Sequence, residues 1–260
     1  MDKHRFEEMR PHELERVVAE CPLAWVPVGT LEWHGPQLPV GLDAVKAHAL
    51  CLRCAARAGG AVLPPSYHSM LGMMFPWTFR YPPRVLRDTV MTTWEFLYDY
   101  GFRAIITVTG HYPSAQVAAL MAMAHAFMRR RDAVVLAVPE FAMAPDARYC
   151  GDHAARWETS ILMELRPELV DHEKLEGLRG MRGFALSRQG IQGRNPGDAA
   201  SRETGAAVVA EMVDRFAAMA GDMLNTMDKQ MVRDFHRSVG SRFVRENAQR
   251  LKGLFREAFT

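Results

Sequence analysis

The sequence lacks any apolar run long enough to cross a membrane, and it carries little net charge. No stretch approaches the ~18 uninterrupted apolar residues of a transmembrane helix. Thirty-two Lys and Arg residues stand against 30 Asp and Glu residues, a formal charge of +2, which gives no reason to expect nucleic acid as the main partner. The charged N-terminal segment has no apolar region typical of a secretory signal. We therefore expect a cytoplasmic protein that binds neither membranes nor nucleic acid.

Cysteine is also scarce, with four residues, at positions 21, 51, 54 and 150. Cys51 and Cys54 are spaced like half of a zinc site, but no second pair of Cys or His residues lies at zinc-ribbon distance. Both fall within the apolar-periodic segment Ala44 to Ala58, one turn apart on a predicted helix. We therefore predict buried or half-buried thiols in a reducing compartment.

What the sequence does contain is a regular alternation of short apolar runs and longer amphipathic segments. Strands are predicted at 24–28, 61–63, 104–109 and 133–138, and helices at 44–58, 88–100, 117–130, 154–165 and 202–224. Because parallel strands need helical crossovers, this alternation predicts an α/β fold, with a mainly parallel central sheet and helices on both faces. A chain of 260 residues suits a single core of this kind.

Residues 229–260 differ in composition from the rest, with eight basic residues against three acidic ones. Phenylalanine and leucine residues interleave with these charges at helical spacing. The pattern predicts a C-terminal helical extension, following a domain of residues 1–228, that packs on its own domain or on a neighbouring subunit. Contact with a polyanion or a membrane surface is the alternative.

Functional side chains concentrate in segment 29–43, directly after the first predicted strand. Glu32 and His34 are two residues apart, so an extended backbone directs both side chains to the same side. Glycines and prolines in the following loop can bring Asp43 back towards them. Carboxylate and imidazole groups together are ligands of zinc, manganese or iron. Each residue also has an ordinary structural alternative. Glu32 could be a solvated acid of the loop, His34 a histidine bonded to a carbonyl group, and Asp43 the cap of the next helix.

Two later segments carry further candidates. His111 follows the strand 104–109, at the edge where open parallel sheets place their ligands, and its alternative is a structural histidine. Glu158 falls on the apolar face of a predicted helix, where a carboxylate is costly unless it meets a cation. That cation is a metal ion or, as the structural alternative, Arg156 or another arginine. His153 lies where this helix begins, and is a candidate general acid or base or a cap-region histidine.

These segments resemble the creatininase (creatinine amidohydrolase) family. The run from Glu32 to Asp43, E-W-H-G-P-Q-L-P-V-G-L-D, resembles the family signature E-x-H-G-P-H-L-P-x-x-x-D. Gly110-His111 matches the family's G-H motif, and the run H-A-A-R-W-E-T-S that begins at His153 resembles its H-A-G-x-x-E-T-S segment. The resemblance covers roughly residues 10–225. It implies an α/β sandwich, a homo-oligomer that is frequently a hexamer, and a dinuclear metal centre that hydrolyses C–N bonds of amides.

The resemblance also implies a ligand set. Glu32, Asp43 and His111 would hold one ion. His34 and Asp43 would hold the other, so that Asp43 would bind both ions. In creatininases proper, the motif G-H-Tyr is followed directly by a glutamate that binds the second ion. In this chain the residue after Tyr112 is Pro113.

Glu158 is therefore our candidate to complete the second site. The prediction is two divalent ions per subunit (Zn, Mn or Fe), with His153 and Glu158 taking part in catalysis. His153 would pass a proton to the departing nitrogen.

The segments that would meet the substrate depart most from the family. Its F-P-G-T loop reads Phe75-Pro-Trp77-Thr78 here, and Tyr149-Cys150 replace a Trp-Asp substrate clamp. We predict Trp77, Thr78, Tyr112 and Tyr149 as contacts of a small-molecule substrate other than creatinine. The predicted reaction is hydrolysis of a C–N bond in a small amide, cyclic or open. The alternatives are hydrolysis of a cyclic ketone or lactone at the same centre, and a non-catalytic relative that binds a ligand.

Overall fold

The central element is a four-stranded parallel sheet, in a computed structural model that describes residues 4–147, 149 and 151–241. Strands β1 (Leu23–Val28), β2 (Ala61–Val62), β3 (Ala104–Thr109) and β4 (Val134–Pro139) lie in the order β2-β1-β3-β4. All three strand pairings are parallel. Every residue of β1, β3 and β4 is buried, which explains why these strands read as continuous apolar runs in the sequence.

Helices connect the strands and follow the last of them. They are α1 (Pro11–Glu20), α2 (Leu42–Ala58), α3 (Pro83–Asp99), α4 (Ser114–Arg130), α5 (Arg156–Leu165), α6 (His172–Glu176), α7 (Gly183–Ser187), α8 (Pro196–Ala199) and α9 (Arg202–Thr226). A further helix, α10, covers 229–241. Within the described residues, no helix is both long enough and apolar enough to cross a membrane.

The helices cover both faces of the sheet. On one face, Trp25 of β1 packs against Phe216 of α9, with ring centroids 6.1 Å apart, and α2 packs beside α9. On the other face, the indole nitrogen of Trp94 in α3 donates to Thr107 Oγ1 at 3.0 Å, and the Trp94 ring contacts Phe127 of α4. The predicted α/β fold, with a mainly parallel sheet between two helical layers, is therefore confirmed.

The predicted strands agree with the observed ones to within one residue at each end. The helix predicted at 88–100 instead begins at Pro83, because proline is well suited to a first helical turn, where its missing N–H is not needed. Helix α1 was not predicted, nor were the short helices α6 to α8. None of the residues of α1 is fully buried, and the helix packs on the core through the partly buried Leu14, Val17 and Val18. Cys51 and Cys54 are buried free thiols, as predicted.

Helix α10 packs on the same domain and covers the edge strand β4. Val232 and Val239 are buried in the main core. His236 Nε2 accepts a hydrogen bond from the backbone N–H of Ala137 at 3.1 Å, which satisfies a donor at the open edge of the sheet. Burial lowers the pKa of His236 to about 3, so the ring stays a neutral acceptor. The helical extension is thus present as far as residue 241. The rest of that prediction, at 242–260, lies outside the described residues, and the domain division at 228 stays a prediction.

Candidate metal centre

The candidate site lies at the carboxyl ends of β1, β3 and β4, where a parallel sheet opens its ligand crevice. The loop after β1 carries Glu32 and His34, and His111 follows β3. Asp43 lies in the first turn of α2, and Glu158 lies in the first turn of α5. All five side chains are buried, and their polar atoms point to one place.

Two glycines let the backbone of Asp43 enter between the strand ends. A Cβ atom on Gly29 would lie 2.1 Å from Ala44 N, and one on Gly110 would lie 2.1 Å from Asp43 O. Cβ atoms do not approach backbone atoms this closely, so the first turn of α2 packs against β1 and β3 only because both positions are glycine. This close approach places the Asp43 carboxylate between His34 and His111.

The first group of potential ligands is Glu32, Asp43 and His111. His111 Nδ1 lies 3.0 Å from Glu32 Oε2 and 3.1 Å from Asp43 Oδ2. His111 Nε2 lies 3.2 Å from Met70 O, and donation to this carbonyl leaves Nδ1 as the ring's lone-pair atom. Within the described chain, Glu32 Oε2 and Asp43 Oδ2 are enclosed and meet no hydrogen-bond donor other than the His111 ring. Lone-pair atoms that converge without a donor from outside the group suit a bound cation.

The second group is His34, Asp43 and Glu158. His34 Nε2 lies 3.1 Å from Asp43 Oδ1 and 3.8 Å from Glu158 Oε2. This buried nitrogen has no hydrogen-bond partner outside the group among the described residues, while His34 Nδ1 is held 2.9 Å from Glu32 O. In each group the ligand atoms all lie within 4.8 Å of one another. Asp43 belongs to both groups and presents a different oxygen to each.

The carboxylates give both groups a strong preference for positive charge. Burial disfavours the charged form of His34, yet Asp43 and Glu158 raise its pKa to about 9. Burial likewise disfavours charged His111, but Asp43 and Glu32 raise its pKa to about 10. Without a metal ion, each imidazole would therefore hold a proton at neutral pH. Metal binding at the same nitrogen releases that proton, so the residues present fit two divalent cations.

Glu158 is fixed in place by groups on the loop after β3 and on the segment before α5. The backbone N–H of Ala154 donates to Oε2 at 2.6 Å, and the hydroxyl of Tyr112 donates to Oε1 at 2.6 Å. Ala154 has a φ of 52°, a left-handed conformation that costs roughly 1–3 kcal/mol for a residue other than glycine. Asp152 accepts hydrogen bonds from the N–H groups of Trp157 and Glu158, which caps α5.

The side-chain cation that meets Glu158 is Lys46, and the structural alternative that named Arg156 is wrong. Lys46 Nζ lies 2.5 Å from Glu158 Oε1 and 2.8 Å from Glu140 Oε1, whereas the Arg156 guanidinium lies 4.5 Å from the centre of the Trp157 ring. The sequence analysis missed both Lys46 and Glu140. Usable signals existed, because a lysine on the buried face of α2 needs a counter-charge, and Glu140 directly follows β4 at the carboxyl edge of the sheet.

His153 lies beside both groups. Its ring centroid is 4.4 Å from that of His34, and its Nε2 is 2.8 Å from Trp33 O. Donation to that carbonyl leaves Nδ1 as the proton acceptor. Burial, and then the charge on His34, lower the pKa of His153, so its imidazole is neutral. Its ligand atom also lies within 4.8 Å of those of Glu32 and His34, which makes a third candidate ligand group, so His153 is a candidate ligand as well as a candidate acid or base.

The four side chains predicted to contact the substrate differ in how deeply they are buried. Trp77 is 74% exposed, and Thr78 Oγ1 accepts a hydrogen bond from Trp33 N at 3.1 Å. Tyr112 is half-buried beside Glu158. Tyr149 is fully buried beneath it, with its hydroxyl 3.0 Å from that of Tyr112, so it positions Tyr112. Direct contact of these four side chains with a substrate stays a prediction.

Comparison with known proteins identifies the family. The family model for creatininase, described as creatinine amidohydrolase, matches residues 7–220. The chain belongs to the creatininase family. This family member is 28% identical over 189 residues to creatinine amidohydrolase of Pseudomonas putida, a match that covers 64% of this chain and 72% of that protein. It is also 27% identical over 109 residues to 3-dehydro-scyllo-inosose hydrolase of Thermotoga maritima, which covers 41% of this chain and 35% of that protein.

Solved structures of creatininase share the fold. The crystal structure of creatinine amidohydrolase superposes with a TM-score of 0.73 at 24% identity, over 85% of this chain and 98% of that one. Creatininase has also been solved in a manganese form and in a zinc–zinc form. The chain is therefore a hydrolase of the creatininase family, and it presents groups of side chains suited to binding metal.

Proposed function

We propose that this protein is a dinuclear metal amidohydrolase that cleaves a C–N bond in a small amide, cyclic or open. The observation that carries the proposal is the pair of buried ligand groups that share Asp43. Their facing atoms, Glu32 Oε2, His34 Nε2 and Asp43 Oδ2, have no hydrogen-bond partner among the described residues outside the two groups. The likeness to creatinine amidohydrolase supports the amide as the substrate class.

The two groups have distinct places in this proposal. Glu32, Asp43 and His111 would hold one ion, and His34, Asp43 and Glu158 would hold the other. Zinc, manganese or iron bound there would supply the positive charge that lowers the pKa of a water molecule and stabilises negative charge on a carbonyl oxygen. Carbonyl oxygens of Glu32 and Met70 orient the two histidines, which keeps the lone pairs of both rings directed at the centre.

The remaining side chains handle the proton and the substrate. His153 is neutral and adjacent to both groups, so its Nδ1 takes a proton and delivers it to the departing nitrogen, which leaves badly as an anion. Tyr112 holds Glu158 through its hydroxyl. The loop that carries Trp77 and Thr78 reaches the centre through Met73, whose N–H donates to Glu32. We further propose a small-molecule substrate other than creatinine and a homo-oligomeric assembly.

Removal of metal tests the proposal. Chelator-treated protein should hydrolyse none of a panel of small cyclic and open amides, and addition of Mn²⁺ or Zn²⁺ should restore turnover. The assay follows release of amine or ammonia together with acid. Full activity of the metal-free protein would contradict the proposal. So would metal-loaded protein that releases acid from a lactone or cyclic ketone but no nitrogen from any amide.

Replacement of His153 separates proton transfer from metal binding. His153→Ala should keep the metal content of the wild type while turnover falls about 10²–10⁴-fold, the usual contribution of a general acid or base. The exposed His172 of α6 gives the matched control, His172→Ala, which should change neither quantity. Loss of metal from His153→Ala would make His153 a ligand instead.

A further inference from the structure

We propose that Lys46 controls the metal occupancy of this centre, because its ammonium group lies against the second ligand group and makes that group bind its ion more weakly than the first. The inference rests on the proposed function only in treating the two groups as metal sites. It assigns a role to a residue that neither the sequence analysis nor the proposed chemistry uses.

The side chain of Lys46 is 1% exposed and is surrounded by acids. Its Nζ lies 2.5 Å from Glu158 Oε1, 2.8 Å from Glu140 Oε1 and 4.0 Å from Asp43 Oδ1. The ammonium also donates to the Tyr112 hydroxyl at 3.2 Å. A lysine enclosed in this way stays buried only because carboxylates pair with it. Two of those carboxylates, Glu158 and Asp43, belong to the second ligand group.

The ammonium lies on one side of the centre. Asp43 presents Oδ2 to His111 in the first group, whereas Lys46 approaches the other oxygen, Oδ1, which faces His34 in the second group. A fixed positive charge therefore lies nearer to the second group than to the first. In a buried site, screening by water is weak, so this charge opposes a further cation in the second group.

Lys46 also occupies part of the Glu158 carboxylate. Oε1 accepts from Lys46 and Tyr112, so only Oε2 faces His34. Glu158 can then offer a single oxygen to an ion, and its charge is already shared with the ammonium. Both effects weaken the second group and leave Glu32, His111 and Asp43 Oδ2 unaffected. A purely structural role for Lys46, as a group that holds Glu158 in place, would instead make loss of the lysine weaken the second group.

The test is a titration of metal-free protein with Mn²⁺ by calorimetry, with metal content measured after desalting. The wild type should retain one ion per chain and bind a second at least about tenfold more weakly, a difference of about 1.4 kcal/mol. Lys46→Met, which removes the charge and keeps the length, should tighten the second ion at least about tenfold and leave the first unchanged. Lys46→Arg should restore weak binding of the second ion. Lys174→Met, at an exposed position of α6, is the matched control and should behave as the wild type.

Unchanged or weaker binding of the second ion by Lys46→Met would overturn the proposal, and so would an equal change at both sites. If Lys46→Met does not fold, Glu140→Gln gives a test of opposite sign. Without its second partner the ammonium would be held by Glu158 and Asp43 alone, so the second ion should bind more weakly still, and unchanged binding would refute the idea. A wild type that binds two ions equally well would defeat this inference alone, whereas a wild type that binds none would defeat the proposed function.

Discussion

Asp43→Asn is expected to lose both metal ions and, with them, all measurable hydrolysis. Asp43 is the member common to both ligand groups, with Oδ1 facing His34 and Oδ2 facing His111. Removing one partner of a buried charge pair costs about 3–5 kcal/mol, which corresponds to about 10²–10⁴-fold in affinity. Asparagine keeps the size of the side chain, so metal content and turnover report on the charge and not on a cavity.

The control for this substitution is Asp171→Asn. Asp171 is exposed and caps helix α6, where its carboxylate accepts a hydrogen bond from Lys174 N. Asparagine is an equally good N-cap, so metal content, turnover and thermal unfolding should match the wild type. Retention of both ions by Asp43→Asn would remove Asp43 from the ligand set.

The sequence predicts the sheet well because buried parallel strands leave an unmistakable pattern. Strand β3, Ala104–Thr109, is apolar throughout apart from its threonines and buried throughout, so its ends are visible in the sequence. Helix α1 shows the reverse case. It lies half-exposed on the surface, and its short apolar stripe, Leu14, Val17 and Val18, has the spacing of an amphipathic helix, a signal that the sequence analysis missed.

The convergence of Glu32, His34, Asp43, His111 and Glu158 could be predicted for two reasons. Residues that follow parallel strands meet at one edge of the sheet, and the motif resemblance links the loop after β1 with the start of α5. What the sequence does not show is how the acids inside the site are neutralised. Lys46 pairs with Glu158 across 112 residues of chain, and such a pairing exists only once α2 and α5 have packed together.

The same limit applies to the groups that hold His111. Gln116 Nε2 lies 3.1 Å from each of three acceptors, Thr109 Oγ1, His111 O and Ser69 Oγ. In the sequence, Gln116 is a polar residue near the start of a helix, with nothing to mark it. In the structure it is fully buried and joins the strand end, the candidate ligand and the loop before α3. Residues of this kind make the ligand positions rigid before any ion binds.

Gly110→Ala should damage both the fold and the metal centre, because the space for its side chain is already filled by backbone. Its Cβ would lie 2.1 Å from Asp43 O and 3.1 Å from Asp43 Cα, so the first turn of α2 must move away from the end of β3. Overpacking of this kind costs about 1–3 kcal/mol, and contact with backbone favours the upper end. At about 2–4 °C per kcal/mol for a protein of this size, we expect Tm to fall by about 6–12 °C, together with loss of metal.

Gly221→Ala is the matched control, since Gly221 lies within α9 and a Cβ there meets no described atom within 4 Å. That substitution should stabilise the protein by about 0.5–1 kcal/mol and leave metal content unchanged. Full metal content and an unchanged Tm in Gly110→Ala would show that Asp43 does not depend on this close approach.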